Sequence, residues 1–226
     1  MTTIKGLVLS ALAAAVLAGC GEKKIECSSV DTCSVSVEQI EQDMKPEEIS
    51  KFKNDIESLI YLSAMNNYKA NPSQENKIVL LSFANNDLSA HSSKKEEAVI
   101  VNALNGKSSS DIHQLVKNDH ITLEQFFKIK NYIEHAKVTV APLKQQVELC
   151  MFDVAEKYEK FCNTGINPDV SLGQRGWRLS NTGEAQVKAG VISMSKKFDD
   201  LNLKITFTPI IDLNFNVDND WIMNME

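Results

Sequence analysis

ITLEQFFKIKNYIEHAKVTVAPLKQQVELCMFDVAEKYEKF, residues 121–161, is the stretch on which the fold turns. Within it Phe126, Ile129, Ile133, Ala136, Val140, Leu143, Val147, Cys150 and Val154 follow one another at steps of three and four without a miss. Side chains so spaced fall on one side of an α-helix, because 3.6 residues complete a turn. Thr122 and Gln125 have the spacing of a capping box, and Ile121 is placed to staple onto Phe126, so the start is marked as well. The seam keeps its phase across Pro142. A helix broken there would lose register, so the pattern predicts a kink inside one helix of 39 residues, Leu123–Phe161, about 58 Å long at ~1.5 Å per residue. A stripe of that length must be covered, by other helices in a coiled coil or bundle or by a sheet.

Downstream of Cys162 the composition shifts. Residues 163–181 are rich in Gly, Pro and Asn and read as a long loop, and Ala185–Lys197 reads as a hairpin turning at Lys188-Ala189-Gly190. Leu203–Thr208 alternates apolar and polar as a half-buried strand does, and Asp220–Met223 supplies a last strand. One long helix followed by a small antiparallel sheet is an α+β plan. Trp177, Phe198, Phe207, Phe215 and Trp221 are expected in its core, since a small sheet needs aromatics to cover its helix.

Upstream the signals are helical. Pro46 with Glu47 and Glu48 makes a favourable first turn, followed by Ile49, Phe52, Ile56, Leu59 and Ser63 at helical spacing. A second helix opens at Asn71-Pro72, with Gln74 completing a capping box, and is expected to bury Ile78, Leu81 and Leu88. A third spans Lys94–Leu104 and stops at Gly106; Ser110 caps a fourth carrying Ile112, Leu115 and Val116. Residues 21–37 are polar, Ser-rich and without hydrophobic period, which predicts a tether.

The first 19 residues read as an export signal. Lys5 precedes an uncharged run, Gly6–Val16, long enough for the apolar core of a signal peptide and too short to span a bilayer. Leu17-Ala18-Gly19-Cys20 resembles a bacterial lipobox, which implies cleavage before Cys20 and acyl chains, palmitate among them, on its sulfur. Gly21 stands where an Asp would signal inner-membrane retention in enteric lipoprotein sorting, and so points to the outer membrane, on its periplasmic or surface side. The four expected segments are a signal at 1–19, a lipid-anchored tether at 20–37, a helical module at 38–120 and an α+β domain at 121–226. The net charge of −6 becomes −7 once Lys5 leaves. Such a surface has no electrostatic attraction for nucleic acid or an anionic leaflet, so the membrane is met through the acyl chains on Cys20.

With Cys20 acylated, four cysteines remain, in two local pairs: Cys27 with Cys33, and Cys150 with Cys162. In an oxidising compartment two short-loop disulfides are expected, although four cysteines allow three connectivities. A metal half-site at Cys27 and Cys33 lacks the usual two-to-four-residue spacing and a nearby His.

Two resemblances extend this reading. Lys24-Ile25-x-Cys27-Ser28-Ser29, Ser36-Val37-Glu38-Gln39-Ile40, Lys45-Pro46-Glu47-Glu48, Leu104-Asn105-Gly106-Lys107-Ser108 and Asp111-Ile112 are similar, in that order, to a family of small bacterial lipoproteins of unknown role. That likeness implies a helical module without a mechanism, and the chain departs from it in Cys27, Cys33 and an Asn-rich stretch at 66–86. The second is carried by Asn131-Tyr132-Ile133, by Leu143–Cys150, by Phe161–Pro168, by Gly190-Val191-Ile192, by Leu203-x-Ile205-x-Phe207-Thr208-Pro209 and by Trp221. These resemble the globular domain of type IV pilins, which implies a helix spine, a loop carrying Cys162 and a sheet on the spine, with roles in filaments, adhesion or export. The chain lacks the apolar N-terminal half-helix of pilins, and has Met223 where many place a Cys. Filament assembly through an apolar core is therefore not expected.

No residues declare a reaction. His91, His113, His120 and His135 are scattered, with no HExxH, and no nucleophile elbow, phosphate loop or dinucleotide fingerprint is present. Neither an enzyme nor a cofactor is expected, and a periplasmic hydrolase has no support in the sequence. Asp212, Asn214, Asn216, Asp218 and Asp220 recur at every second position, as oxygen ligands for Ca²⁺ would on an extended chain. The EF-hand pattern fails at Val217 and Met223, and Leu213, Phe215 and Val217 alternate with these residues, so the plain reading is a half-buried strand or loop with a wet face and no metal. The expectation is thus a non-enzymatic binding or accessory module with a protein partner, pilus components among the candidates, or alternatively a structural envelope lipoprotein without a pilus role.

Overall fold

Helical spacing before residue 155 and strand spacing after residue 184 produce an α+β protein. The computed structural model describes residues 22–85, 93–154, 159, 162–163, 185–199, 201–211 and 217–226. The described helices are α1 Val30–Glu41, α2 Pro46–Ala70, α3 Gln74–Ala84, α4 Lys94–Leu104, α5 Ser109–Asn118 and α6 His120–Val154. The strands are β1 Ala185–Lys188, β2 Val191–Phe198, β3 Leu201–Ile211 and β4 Val217–Met225. Among the described residues no helix is long and apolar enough to cross a membrane. They group into two compact units, 22–63 with 93–120, and 64–85 with residues from 121 onward. Residues 64–85, expected within the helical module of 38–120, therefore belong to the later unit. They carry the last turns of α2 and all of α3.

In the first unit the stretch expected to be a tether is folded. Ile25 is fully buried, its N–H donates to the Lys107 carbonyl at 2.8 Å, and its carbonyl accepts from Gly106 N–H at 2.7 Å. Gly106 makes this approach with φ +75°, a conformation glycine adopts without steric cost. Cys27 N–H donates to Asn105 Oδ1 at 3.0 Å, and Cys27 is disulfide-bonded to Cys33. Helix α1 starts there, capped by Ser29 with Thr32 in a reciprocal capping box, and buries Cys33, Ser36 and Ile40. Buried residues at steps of three and four are present after all, but one is a serine. Its hydroxyl accepts from Glu26 N–H at 3.0 Å, so the polar atom is satisfied where a hydrophobe was sought.

Helix starts elsewhere shift by a few residues. Ser73 caps α3 through Asn76 N–H, in place of a box at Asn71 and Gln74, and α3 buries Val79, Leu80, Leu81, Phe83 and Ala84 while Ile78 is 53% exposed. Ser108, not Ser110, caps α5, in a box with Asp111. Thr122 and Gln125 make no box. The chain turns at Asp119, α6 begins at His120, and both residues are already inside the helix. Thr122 Oγ1 accepts from Lys69 Nζ at 3.1 Å, Gln125 Nε2 donates to Asp199 Oδ2 at 3.0 Å, and Ile121 is 63% exposed, so it staples nothing.

The second unit is built on α6. Phe126, Ile129, Ile133, Ala136, Val140, Leu143, Val147 and Cys150 are all fully buried, as the seam requires. Each large member of such a row contributes roughly 1.5–3 kcal/mol by leaving water. The helix runs through Pro142, which lies on the exposed side. The proline has no N–H for the Val138 carbonyl, but Val138 is 73% exposed and water can serve it. Residues 155–158, 160 and 161, where the helix was expected to continue, lie outside the described residues, as do Leu88 and most of the 163–181 loop.

The four strands form an antiparallel meander in the order β1-β2-β3-β4. Alternation places Ala185, Val187, Ile192, Met194, Leu201, Leu203, Ile205 and Phe207 on the buried face, and the register sets Ile192 beside Phe207 and Met194 beside Ile205. Helix and sheet meet through Tyr132 and Phe198, whose rings cross edge to face at 5.6 Å, and through the disulfide Cys150–Cys162. Pro209 sits where β3 has run past β2 and pairs only with β4, next to a register shift before Ile211, so no ladder bond is lost to its missing N–H. The β1–β2 turn is formed by Ala189 and Gly190 at φ +51° and +75°. A two-residue turn with both residues left-handed favours Asn-Gly, and alanine there is strained. Ala189→Asn is expected to raise the unfolding free energy by up to about 1 kcal/mol in urea denaturation.

Candidate functional site

Cys20 lies outside the described residues, as do His91, Asp212, Asn214 and Asn216. Asp218 and Asp220 fall in the backbone of β4. The calcium constellation is therefore not assembled among the described residues, where no group of three His, Cys, Asp or Glu is placed to hold a metal. The two expected cysteine pairs are both disulfides, with Cα separations of 4.4 Å for Cys27–Cys33 and 5.9 Å for Cys150–Cys162.

A polar cluster lies in the first unit, in a groove of about 440 Å³ at the N-terminal ends of α2 and α5. Glu22 anchors one side. Its carboxylate accepts the Ser110 N–H at 2.8 Å and also the Ser110 hydroxyl, at the positive end of α5. On the other side His113 Nδ1 lies 2.9 Å from Asp55 Oδ2, and Lys51 Nζ lies 3.5 Å from His113 Nε2. With Nδ1 protonated, His113 donates to Asp55 and accepts from Lys51, a chain in which each atom has a role. Nothing in the sequence spacing singles out His113 among the scattered histidines. It is half-exposed, but its partner is 58 positions away and no local spacing announces it. The pair orients an imidazole, yet its outer nitrogen already faces an ammonium rather than a nucleophile.

Hydrogen bonds also set the charge of this cluster. The Ser110 hydroxyl, opposed by partial burial and assisted by the Ser110 N–H, holds Glu22 below the ordinary glutamate value of 4.5. The Ser108 N–H, and then its hydroxyl, hold Asp111 below 3.8. A carboxylate whose folded value is lowered stabilises the fold fully above its unfolded value, and that contribution fades as pH falls through the folded one. Stability is therefore expected to drop as pH falls below about 4.5, and Glu22→Gln to show a smaller drop, in urea titrations followed by circular dichroism.

In the second unit Lys144 on α6 lies over the rings of Phe207 at 4.8 Å and Trp221 at 5.4 Å, while Trp221 Nε1 donates to Glu148 Oε1 at 2.9 Å. Burial pushes the Lys144 ammonium down, against the opposing pull of Glu148. Lys196 similarly covers Tyr132 and Phe198. Phe207 is core as expected, whereas Phe198 and Trp221 are half-buried at the helix–sheet seam; Trp177 and Phe215 lie outside the described residues. The outer side of α6 differs. Val138, Leu149 and Phe152 are 73%, 54% and 72% exposed, and steps of eleven and fourteen residues from Val138 make about three and four turns, so they share a face. Compared with protein-family models, with curated proteins and with solved structures, the chain matches none.

Proposed function

We propose that this chain is a lipid-anchored protein of the bacterial envelope, held by acyl chains on Cys20, probing its surroundings as a non-enzymatic binding or accessory module. The observation that carries the binding role is the outer face of α6. Its inner seam is buried, while Val138, Leu149 and Phe152 stay exposed on the other side. Large apolar side chains aligned on a rigid helix and left in water are a common mark of a protein contact. The helix spine, the meander behind it and the Cys150–Cys162 link support the pilin-like reading, with a pilus component, an adhesive surface or an export machine as the partner.

The test is crosslinking in envelopes, with capture of the native protein and mass spectrometry, beside Cys20→Ser and a Val138→Glu/Phe152→Glu variant. Enrichment of pilins or pilus secretins by the native chain, lost in the double variant, is the expected result. Recovery of general envelope proteins only, equally by native chain and variant, would favour the structural lipoprotein and remove the pilus role.

A further inference from the structure

The lipid-anchor reading leaves open how the first unit is held at the bilayer, and the anchoring of Glu22 bears directly on it. Glu22 accepts two hydrogen bonds from Ser110, and Ile25, three residues on, exchanges backbone bonds with Gly106 and Lys107. Only Gly21 separates Glu22 from Cys20. Two residues of extended chain span about 7 Å at most. A flexible tether over residues 20–37 would instead have wandered over roughly 24 Å.

We infer that the groove beside Glu22, at the first turns of α2 and α5, is the face that the first unit turns to a zwitterionic lipid surface, fixed there by the Glu22–Ser110 clamp. This rests on Cys20 carrying the acyl chains. The groove is lined by the carboxylates of Glu22, Glu47, Glu48 and Asp55 against Lys51 and His113. That balance gives no pull toward anionic lipid, so proximity comes from the covalent anchor and suits headgroups with no net charge. Met44 and Phe52 add apolar surface to the same groove. The clamp makes the first unit an oriented body rather than one on a leash.

The experiment uses the full-length acylated protein in vesicles of phosphatidylcholine and phosphatidylethanolamine that contain a headgroup-linked nitroxide quencher. A fluorophore is attached to one introduced cysteine at a time, Glu47→Cys or Glu57→Cys on α2, or Lys117→Cys at the last turn of α5. Quenching at position 47 is expected to be at least twofold stronger than at 57 or 117, which lie about 12–15 Å farther along their helices. Glu22→Ala should narrow that difference while the protein still sediments with the vesicles, and Glu22→Gln, which keeps an acceptor for the Ser110 N–H, should narrow it less. Equal quenching at the three positions in sedimenting, acylated protein would overturn the inference and leave the anchor intact. Protein that carries no acyl group by mass spectrometry and stays in the supernatant would instead remove the anchor itself, and with it the orientation.

Discussion

Replacing Ile133 by alanine should lower the unfolding free energy by about 3 kcal/mol, whereas Val138→Ala, five residues along the same helix, should change it by less than about 0.5 kcal/mol. Ile133 is fully buried in the row that runs from Phe126 to Cys150, and Val138 is 73% exposed. Truncating Ile133 removes three carbons from water-free contact and leaves a cavity that a helix wedged against a sheet cannot readily close. The full chain carrying Cys20→Ser is suited to the measurement by urea denaturation with tryptophan emission. The contrast between the two positions tests the rotational setting of α6, because a helix turned by half a revolution would reverse their ranking.

The second large effect is expected at the link between helix and hairpin. Cys150 and Cys162 are twelve residues apart, and closing a loop of that size restricts the unfolded chain by about 3 kcal/mol. The far end of the link also supports the β1–β2 turn. The Cys162 carbonyl accepts from Gly190 N–H at 3.1 Å, and Asn163 Oδ1 accepts from Ala189 N–H at 2.8 Å. Cys150→Ser/Cys162→Ser should therefore lose about 3 kcal/mol of stability and speed hydrogen exchange at the Ala189 and Gly190 amides more than at residues of β3. For Cys27–Cys33, with a separation of six, the same reasoning gives about 2 kcal/mol and no change at those amides. Equal exchange at the turn in the double variant and in the native chain would show that Asn163 holds the hairpin without the disulfide.

What could be read in advance followed from how strongly one local period constrained each segment. The α6 seam repeats eight buried apolar residues, so its inward face was fixed by spacing, and the strand alternation in β3 was equally plain. Helix α1 escaped because Cys33, Ser36 and Ile40 make a buried row with a hydroxyl in its middle, and the hydroxyl is satisfied by a backbone N–H ten residues earlier. Helix starts slipped for a related reason. Thr122 and Gln125 have capping-box spacing, but their side chains are taken by Lys69 and Asp199, partners that no window around residue 122 contains. The groove was the least legible part. Glu22 with Ser110 and Asp55 with His113 are separated by 88 and 58 positions, and ionisable residues at such distances carry no periodic signature.

The membership of residues 64–85 in the later unit sets an order of events for a chain made from its N-terminus. All segments of the first unit have been synthesised once residue 120 is complete, so it can close early. Helix α3 cannot follow, because the strand whose Asn202 carbonyl receives the Lys77 ammonium at 2.7 Å has yet to appear. Val79, Leu80, Leu81 and Phe83, buried in the finished unit, therefore wait for segments that all follow residue 120. Such an interval, with a short apolar helix waiting for the rest of its unit, is where a holding chaperone has most to protect.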